Sequence, residues 1–335
     1  MLVTVFDVAK EAGVSIATVS RVMNNSPRVS PATVAAVRAA VEKLGYVPNQ
    51  QARSLRKNES NTILVMIPDV TKLSYSRTLA GISEKALEYG YTLLMNNAEG
   101  AEQERVLHKM ADSQRVDGAI ILNVMLDDRW LPEIDAKLPL ALCTEYVEEC
   151  ACLSVGVDDY QVAFEAVSYL MSLGHRRIGY LGSSVSCSSA AERLKGYRDA
   201  LARENLEPAE IFVDYANMSR NYREGCRAAR ELLNRPDRPE ALFCYGDILA
   251  MAVVTVAGEM GIRVPEELAV MGVDNTIYGE MVHPYLTTVS QPFEEIGRKA
   301  MELIHRKISG EQISSERIIL PHHLKLREST IPADK

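Results

Sequence analysis

Apolar residues recur at helical spacing along the first 45 residues, and the pattern then changes to strand-like runs alternating with helix-like ones. Phe6, Val8, Ala9 and Ala12 form the apolar face of a first helix, with Thr4 and Asp7 at capping-box positions and Gly13 as its stop. Ser15 is placed to cap a second helix running to about Asn24. Ser30-Pro31 opens a third through Val34, Val37, Val41 and Leu44, closed by Gly45. Residues 49–57 have helical propensity, but Ala52 and Leu55 are their only apolar side chains, too few to offset nucleation without a partner surface.

From Thr62 the runs predict strands at 63–67, 91–95 and 118–122, with helices at 77–89 and 102–114 between them. The alternation restarts at 177–182, continues through 241–245 and 268–273, and ends in a helix at 294–307. Strand-helix-strand repeats imply α/β architecture with parallel, doubly wound sheets covered on both faces. Two sheets, and so two lobes, fit better than one. The expected organisation is an all-α helix-turn-helix domain over 1–48, a hinge helix and linker over 49–60, and a two-lobed core over 61–335. Its first lobe takes about 61–160 plus 291–320, and its second about 161–290 plus 321–335. Ligands of such sheets bind beyond the strand carboxyl ends, so facing lobes make a cleft.

Charge sharpens this division. The net charge is −8, yet residues 1–57 carry eight basic against three acidic residues, or +5, which leaves −13 for the rest. A basic head on an acidic body suits a chain whose head alone meets phosphate. No apolar run approaches the roughly 18 residues of a membrane span, and the N-terminus lacks the regions of a signal peptide, so a cytoplasmic protein is expected. Six cysteines without zinc-like spacing read as core filler or spectators in a reducing compartment that disfavours disulfides, and only Cys150-Ala151-Cys152 stands out, as a poor metal chelate with one intervening residue. The histidines form no metal motif and no glycine-rich phosphate loop follows the first strand, so neither an enzyme nor a cofactor is expected.

A helix-turn-helix places the first residues of its second helix on base edges in the major groove. Those residues are Ile16, Ala17 and Arg21, with Arg21 able to bond a guanine bidentately and the other two able to touch a thymine methyl. Thr18, Ser20 and Asn24 read as phosphate-side donors that set register. A helical hairpin without nucleic acid is the plainer alternative.

Residues 4–9, 12–15, 18–22, 44–49 and 52–55, with Gly174-His175-Arg176-Arg177-Ile178, Arg193-Leu194-Lys195-Gly196-Tyr197, Val264-Pro265-Glu266-Glu267-Leu268 and Asp274-Asn275, resemble the LacI/GalR family of bacterial transcription regulators. The resemblance spans nearly the whole chain. It implies a core like that of periplasmic sugar-binding proteins and a homodimer reading a pseudo-palindromic operator, with two hinge helices in the minor groove. Leu55 then matches a wedge inserted at a central CG step, where unstacking bends the duplex. Thr4, Ser15, Tyr46, Asn49, Ala52 and Arg53 join the implied DNA contacts.

By family position, Arg193 and Asp274 match residues that bond a polar effector, and Tyr75 and Tyr146 match rings that stack on it. Each has a structural alternative, as an ion pair or a core ring. Ser189, Asp247, Asp158 and Gln291 are further candidates at the rim or at lobe crossings. Gly246 replaces an asparagine common among sugar-responsive relatives, and residues 218–223 lack an aromatic some of them carry. The implied function is a repressor controlled by a small metabolite, a sugar first, with a nucleoside or purine as the alternative. The head also resembles the branch controlled by a seryl-phosphorylated phosphocarrier protein, but Glu302 stands where that partner's phosphate needs an arginine.

Overall fold

The computed structural model describes residues 3–23, 26–46, 60–125, 128–148, 150–214, 218–313 and 315–331. The chain divides into two compact units, Met1–Ser60 and Asn61–Lys335. In the first unit, α1 (Val5–Glu11), α2 (Ile16–Met23) and α3 (Pro31–Leu44) enclose Val8, Val19, Val22, Val37 and Ala40. The Thr4 amide donates to Asp7 Oδ2 over 2.8 Å, and Ser15 and Ser30 Oγ accept from the amides of Thr18 and Thr33 at 3.1 and 3.3 Å. These caps satisfy donors that the first helical turn leaves without partners. Gly45 ends α3 at φ +61°, a left-handed conformation that costs glycine little. Phe6 departs from the sequence reading. It is 67% exposed, because two steps of roughly 100° each carry it to the opposite side of α1 from Val8.

The second unit carries two six-stranded sheets. The first joins β1 (Thr62–Met66), β2 (Thr92–Asn96), β3 (Gly118–Ile121), β4 (Leu140–Cys143), β5 (Leu153–Gly156) and β11 (Arg317–Ile319) in the order β11-β5-β4-β3-β1-β2, all parallel. The second joins β6 (Ile178–Ser183), β7 (Ala209–Val213), β8 (Ala241–Cys244), β9 (Ala269–Asp274), β10 (Thr287–Ser290) and β12 (His323–Lys325) in the order β12-β10-β9-β8-β6-β7. Only β12 runs antiparallel, at the edge. Central strands such as β4 and β8 are buried along their length, as unbroken apolar runs covered on both faces must be.

Helices α4 (Leu73–Tyr89), α5 (Gly100–Ser113), α6 (Leu131–Lys137) and α11 (Phe293–Ile308) belong to the first lobe. Helices α7 (Asp159–Ser172), α8 (Ser188–Arg203), α9 (Met218–Leu233) and α10 (Asp247–Glu259) belong to the second. The chain passes between lobes at 157–158, 291–292 and 320–322, where successive elements change sheet. Helices α4 and α11 touch backbone to backbone: a methyl group on Gly81 would overlap the Glu294 carbonyl oxygen, and one on Gly297 that of Thr78. Gly297→Ala is therefore expected to destabilise by roughly 1–3 kcal/mol through overpacking. Urea unfolding checks this, and an unmoved midpoint at constant m would mean the helices part freely.

One sequence expectation is corrected here. Cys150 and Cys152 are joined by a disulfide, their Cα atoms 5.1 Å apart, rather than being free thiols. With one residue between them, the two Cα atoms fall within bridging range by chain connectivity alone. Cys143, Cys187 and Cys244 are buried, as core residues.

Candidate functional site

The exposed edge of α2 is built by spacing. Ala17 and Arg21 are four residues apart, so they share one exposed stripe, and no described carboxylate pairs with Arg21. Ile16 and Tyr46 pack partly against the small core, and Thr18 Oγ1 bonds Ser15 Oγ at 2.9 Å, so both hydroxyls also serve the helix start. Ser20 is half-buried. Asn24, Asn49, Ala52, Arg53 and Leu55 lie outside the described residues.

Between the two lobes of the second unit lies a cleft of about 230 Å³. It follows from topology: the loops after β1, β3 and β4 of one sheet face those after β6, β8 and β9 of the other. Tyr75, Ser189, Arg193, Asp274 and Gln291 all reach it. Arg193 is 5% exposed and held from three directions. It donates to Asp159 Oδ1 through Nε at 2.8 Å and to the Tyr245 carbonyl at 2.6 Å, and its guanidinium lies 4.8 Å from the Tyr245 ring centre. Burial pushes the Asp159 carboxyl up, and the Arg193 charge opposes that shift.

Asp274 ends β9 with φ +113°, an unusual conformation for a side-chain-bearing residue. Its carboxylate accepts from Gln291 Nε2 at 2.8 Å, and burial raises its pKa to about 6 despite Arg193 nearby. Asp247, expected at the rim or a lobe crossing, borders a hollow that shares Lys72, Ser74 and Asp274 with the cleft. It sits inside the second lobe and accepts from the Thr276 amide, Thr276 Oγ1 and Thr288 Oγ1 at 2.6, 2.9 and 2.5 Å. These bonds lock the ends of β9 and β10 to the start of α10, and burial together with the Asp274 charge raises its pKa to about 7. That hollow is the smaller of the two, about 40 Å³.

Tyr146 misses the cleft wall. Its hydroxyl donates to Glu192 at 3.2 Å and its ring lies 3.5 Å from the Arg317 guanidinium, which holds the ring away from the opening. Asp158 caps α7, accepting from the Gln161 amide at 2.9 Å.

Several residues escaped the sequence reading. Glu145, from the first lobe, is 7% exposed and accepts from Ser188 Oγ, the Ser189 amide and Ser189 Oγ at 2.6, 2.9 and 2.6 Å. Tyr245 bonds Ser189 Oγ at 2.9 Å, and Asp159 anchors Arg193. Glu145 and Tyr245 follow β4 and β8 directly, so the rule that ligands gather beyond strand carboxyl ends could have found them. Asn221 of α9 is fully buried against the smaller hollow, and neither atom of its amide has a partner within the protein. No sequence pattern marks it, because the orphaned amide is a property of packing alone. Among the described residues no cluster of acids, histidines or cysteines is placed to hold a metal, and no helix is long and apolar enough to cross a membrane.

Residues 4–49 match the profile of bacterial regulatory proteins, lacI family, and residues 167–330 that of a periplasmic binding protein-like domain. Catabolite control protein A of Priestia megaterium is 34% identical over 334 residues, covering 98% of this chain and 100% of that protein. The HTH-type transcriptional repressor CytR of Escherichia coli K12 is 34% identical over 332 residues, covering 98% of this chain and 96% of that one. Among solved structures, the lac repressor dimer bound to operator and the anti-inducer ONPF aligns with a TM-score of 0.88 at 30% identity, covering 98% of this chain and 99% of that one. The transcriptional regulator CelR in complex with cellobiose aligns with a TM-score of 0.74 at 32% identity over the same shares.

Proposed function

Because the chain belongs to the lacI family of bacterial regulatory proteins, we propose that it is a DNA-binding transcriptional repressor, cytoplasmic and homodimeric, whose operator affinity follows occupancy of the interlobe cleft. The carrying observation is that cleft, walled by Arg193, Asp274, Tyr75 and Ser189, in a chain whose head exposes Ala17 and Arg21 on one helix. Ile16, Ala17 and Arg21 read bases. Thr4, Ser15, Thr18, Ser20, Asn24 and Tyr46 set register on phosphates, with Asn49, Ala52 and Arg53 in the hinge and Leu55 as the wedge at a central CG step of a pseudo-palindromic operator.

The effector is a small polar metabolite, a sugar in the first instance, since CelR was solved with cellobiose. The orphaned Asn221 amide beside Asp274 offers a hydroxyl both a donor and an acceptor. Control by a phosphoserine-bearing protein is disfavoured: Glu302 takes up Lys299 at 2.8 Å and Lys85 at 3.4 Å, and a phosphate there would meet a carboxylate first. The test is removal of residues 1–60, followed by operator binding and by thermal unfolding against sugars, nucleosides and purine bases. Operator binding is expected to vanish while a ligand at about 100 times its Kd still stabilises by roughly 2.7 kcal/mol. Retained operator binding, or no response to any ligand, would refute the corresponding half of the reading.

A further inference from the structure

Acidic side chains outnumber basic ones in the lining of the cleft. Arg193 is committed to Asp159 at 2.7 Å, and Asp214 to Arg220 at 2.8 Å. The same lining holds Lys72 together with Glu99, Glu145 and Asp274, three carboxyls to one ammonium. An anionic ligand would meet a surplus of like charge in a partly dry space, where Coulomb repulsion is strong.

Glu145 adds a positional reason. It reaches across from the first lobe to the start of α8, a helix of 16 residues. Helix starts attract anions, because their amides point outward without partners and the peptide dipoles add up there. At this start Glu145 Oε2 accepts from Ser188 Oγ and the Ser189 amide, and Oε1 from Ser189 Oγ. Tyr245 bonds the same Ser189 hydroxyl, and the Tyr146 amide donates to Ser188 Oγ at 3.0 Å, so both serines are oriented toward the carboxylate. The donors a phosphate would use are already taken by a carboxylate of the protein itself.

We propose that Glu145 is a specificity-determining residue of the cleft, standing where a ligand's anionic group would bind and restricting the effector to uncharged polyhydroxy compounds. Phosphorylated sugars and nucleotides are excluded; their unphosphorylated counterparts enter. The inference rests on reading the cleft as the effector site, but its test does not need the effector.

Equilibrium dialysis of the full chain with radiolabelled inorganic phosphate is the direct measurement. The wild type is expected to retain none above the solvent level at millimolar phosphate. Glu145→Ala is expected to retain about one equivalent per chain through the freed donors, and to lose that gain when Ser189→Ala is added. Glu145→Gln keeps the shape and drops the charge; it guards against a variant that does not fold, and because its amide still covers the Ser188 and Ser189 donors it should retain measurable phosphate, but less than Glu145→Ala. Phosphate held by the wild type and released by Ser189→Ala would overturn the proposal, as would folded variants that gain nothing. Wild type stabilised by glucose 6-phosphate or cytidine monophosphate more than by glucose or cytidine would also overturn it, while leaving the effector reading intact. A phosphate gain in the variants with no response to any uncharged ligand would uphold the role of Glu145 and count against the effector reading alone.

Discussion

Arg193→Ala is expected to cost the second unit about 3–5 kcal/mol of stability, the usual penalty for stranding one member of a buried ion pair. The stranded group is Asp159, 7% exposed and otherwise 2.7 Å from the guanidinium. The sign of the pH dependence follows. Burial already raises the Asp159 pKa above its unfolded value, and without Arg193 the shift grows. The folded variant therefore takes up a proton that the unfolded chain does not, and the deficit shrinks as pH falls through the raised pKa. Urea unfolding at pH 7.5 and pH 5.5 measures both effects. Arg193→Met combined with Asp159→Leu should recover most of the stability, since apolar replacement of a buried pair is often neutral or better. Ligand stabilisation should stay absent in the double variant if Arg193 also holds the effector. A single variant as stable as the wild type would show that the pair contributes little, and restored ligand response in the double variant would confine Arg193 to a structural role.

Arg21→Ala is expected to relax operator specificity at one symmetric base pair, with a loss of about 1–3 kcal/mol for the preferred base. The exposed position of Arg21, one turn beyond Ala17 on α2, is what a bidentate base contact requires. Competition binding on operators randomised at single positions reads the effect. A phosphate contact would instead weaken all sequences alike and lower the salt slope by about one. A uniform loss would thus remove Arg21 from base reading.

Much of this architecture was legible because the deciding signals are local. Caps at Thr4, Ser15 and Ser30 and the stop at Gly45 are short-range chemistry, and the helices begin and end at them. The parallel sheets announce themselves as apolar runs such as 118–121 and 241–244, separated by helical periodicity. Phe6 is the exception: its angle round α1, not its apolar side chain, decides that it faces solvent. The cleft was legible at Arg193, Asp274 and Tyr75, whose places the resemblance supplies. At Glu145 only its place beyond the end of β4 was legible, and at Asp159 and Asn221 not even that. What those residues do depends on partners 43, 34 and more positions away, or on having none, and pairing at that distance leaves no periodic trace. Asp247 illustrates the converse. A carboxylate at the start of a helix beside a cleft looks like a ligand contact, and here its oxygens also bond Thr276 and Thr288, ties that no spacing announces.

The bonds from Glu145 to Ser188 and Ser189 also bear on time rather than on equilibrium. They span the two lobes, as do the bonds from Tyr146 to Glu192 and from Arg77 to Asn275, beside the crossovers at 157–158, 291–292 and 320–322. Parting the lobes must break this clasp, so it adds to the barrier for opening and leaves the encounter with an already open cleft untouched. A metabolite enclosed behind it would leave slowly, and the interval over which the head keeps its bound or released state would be set by how often Glu145 lets go.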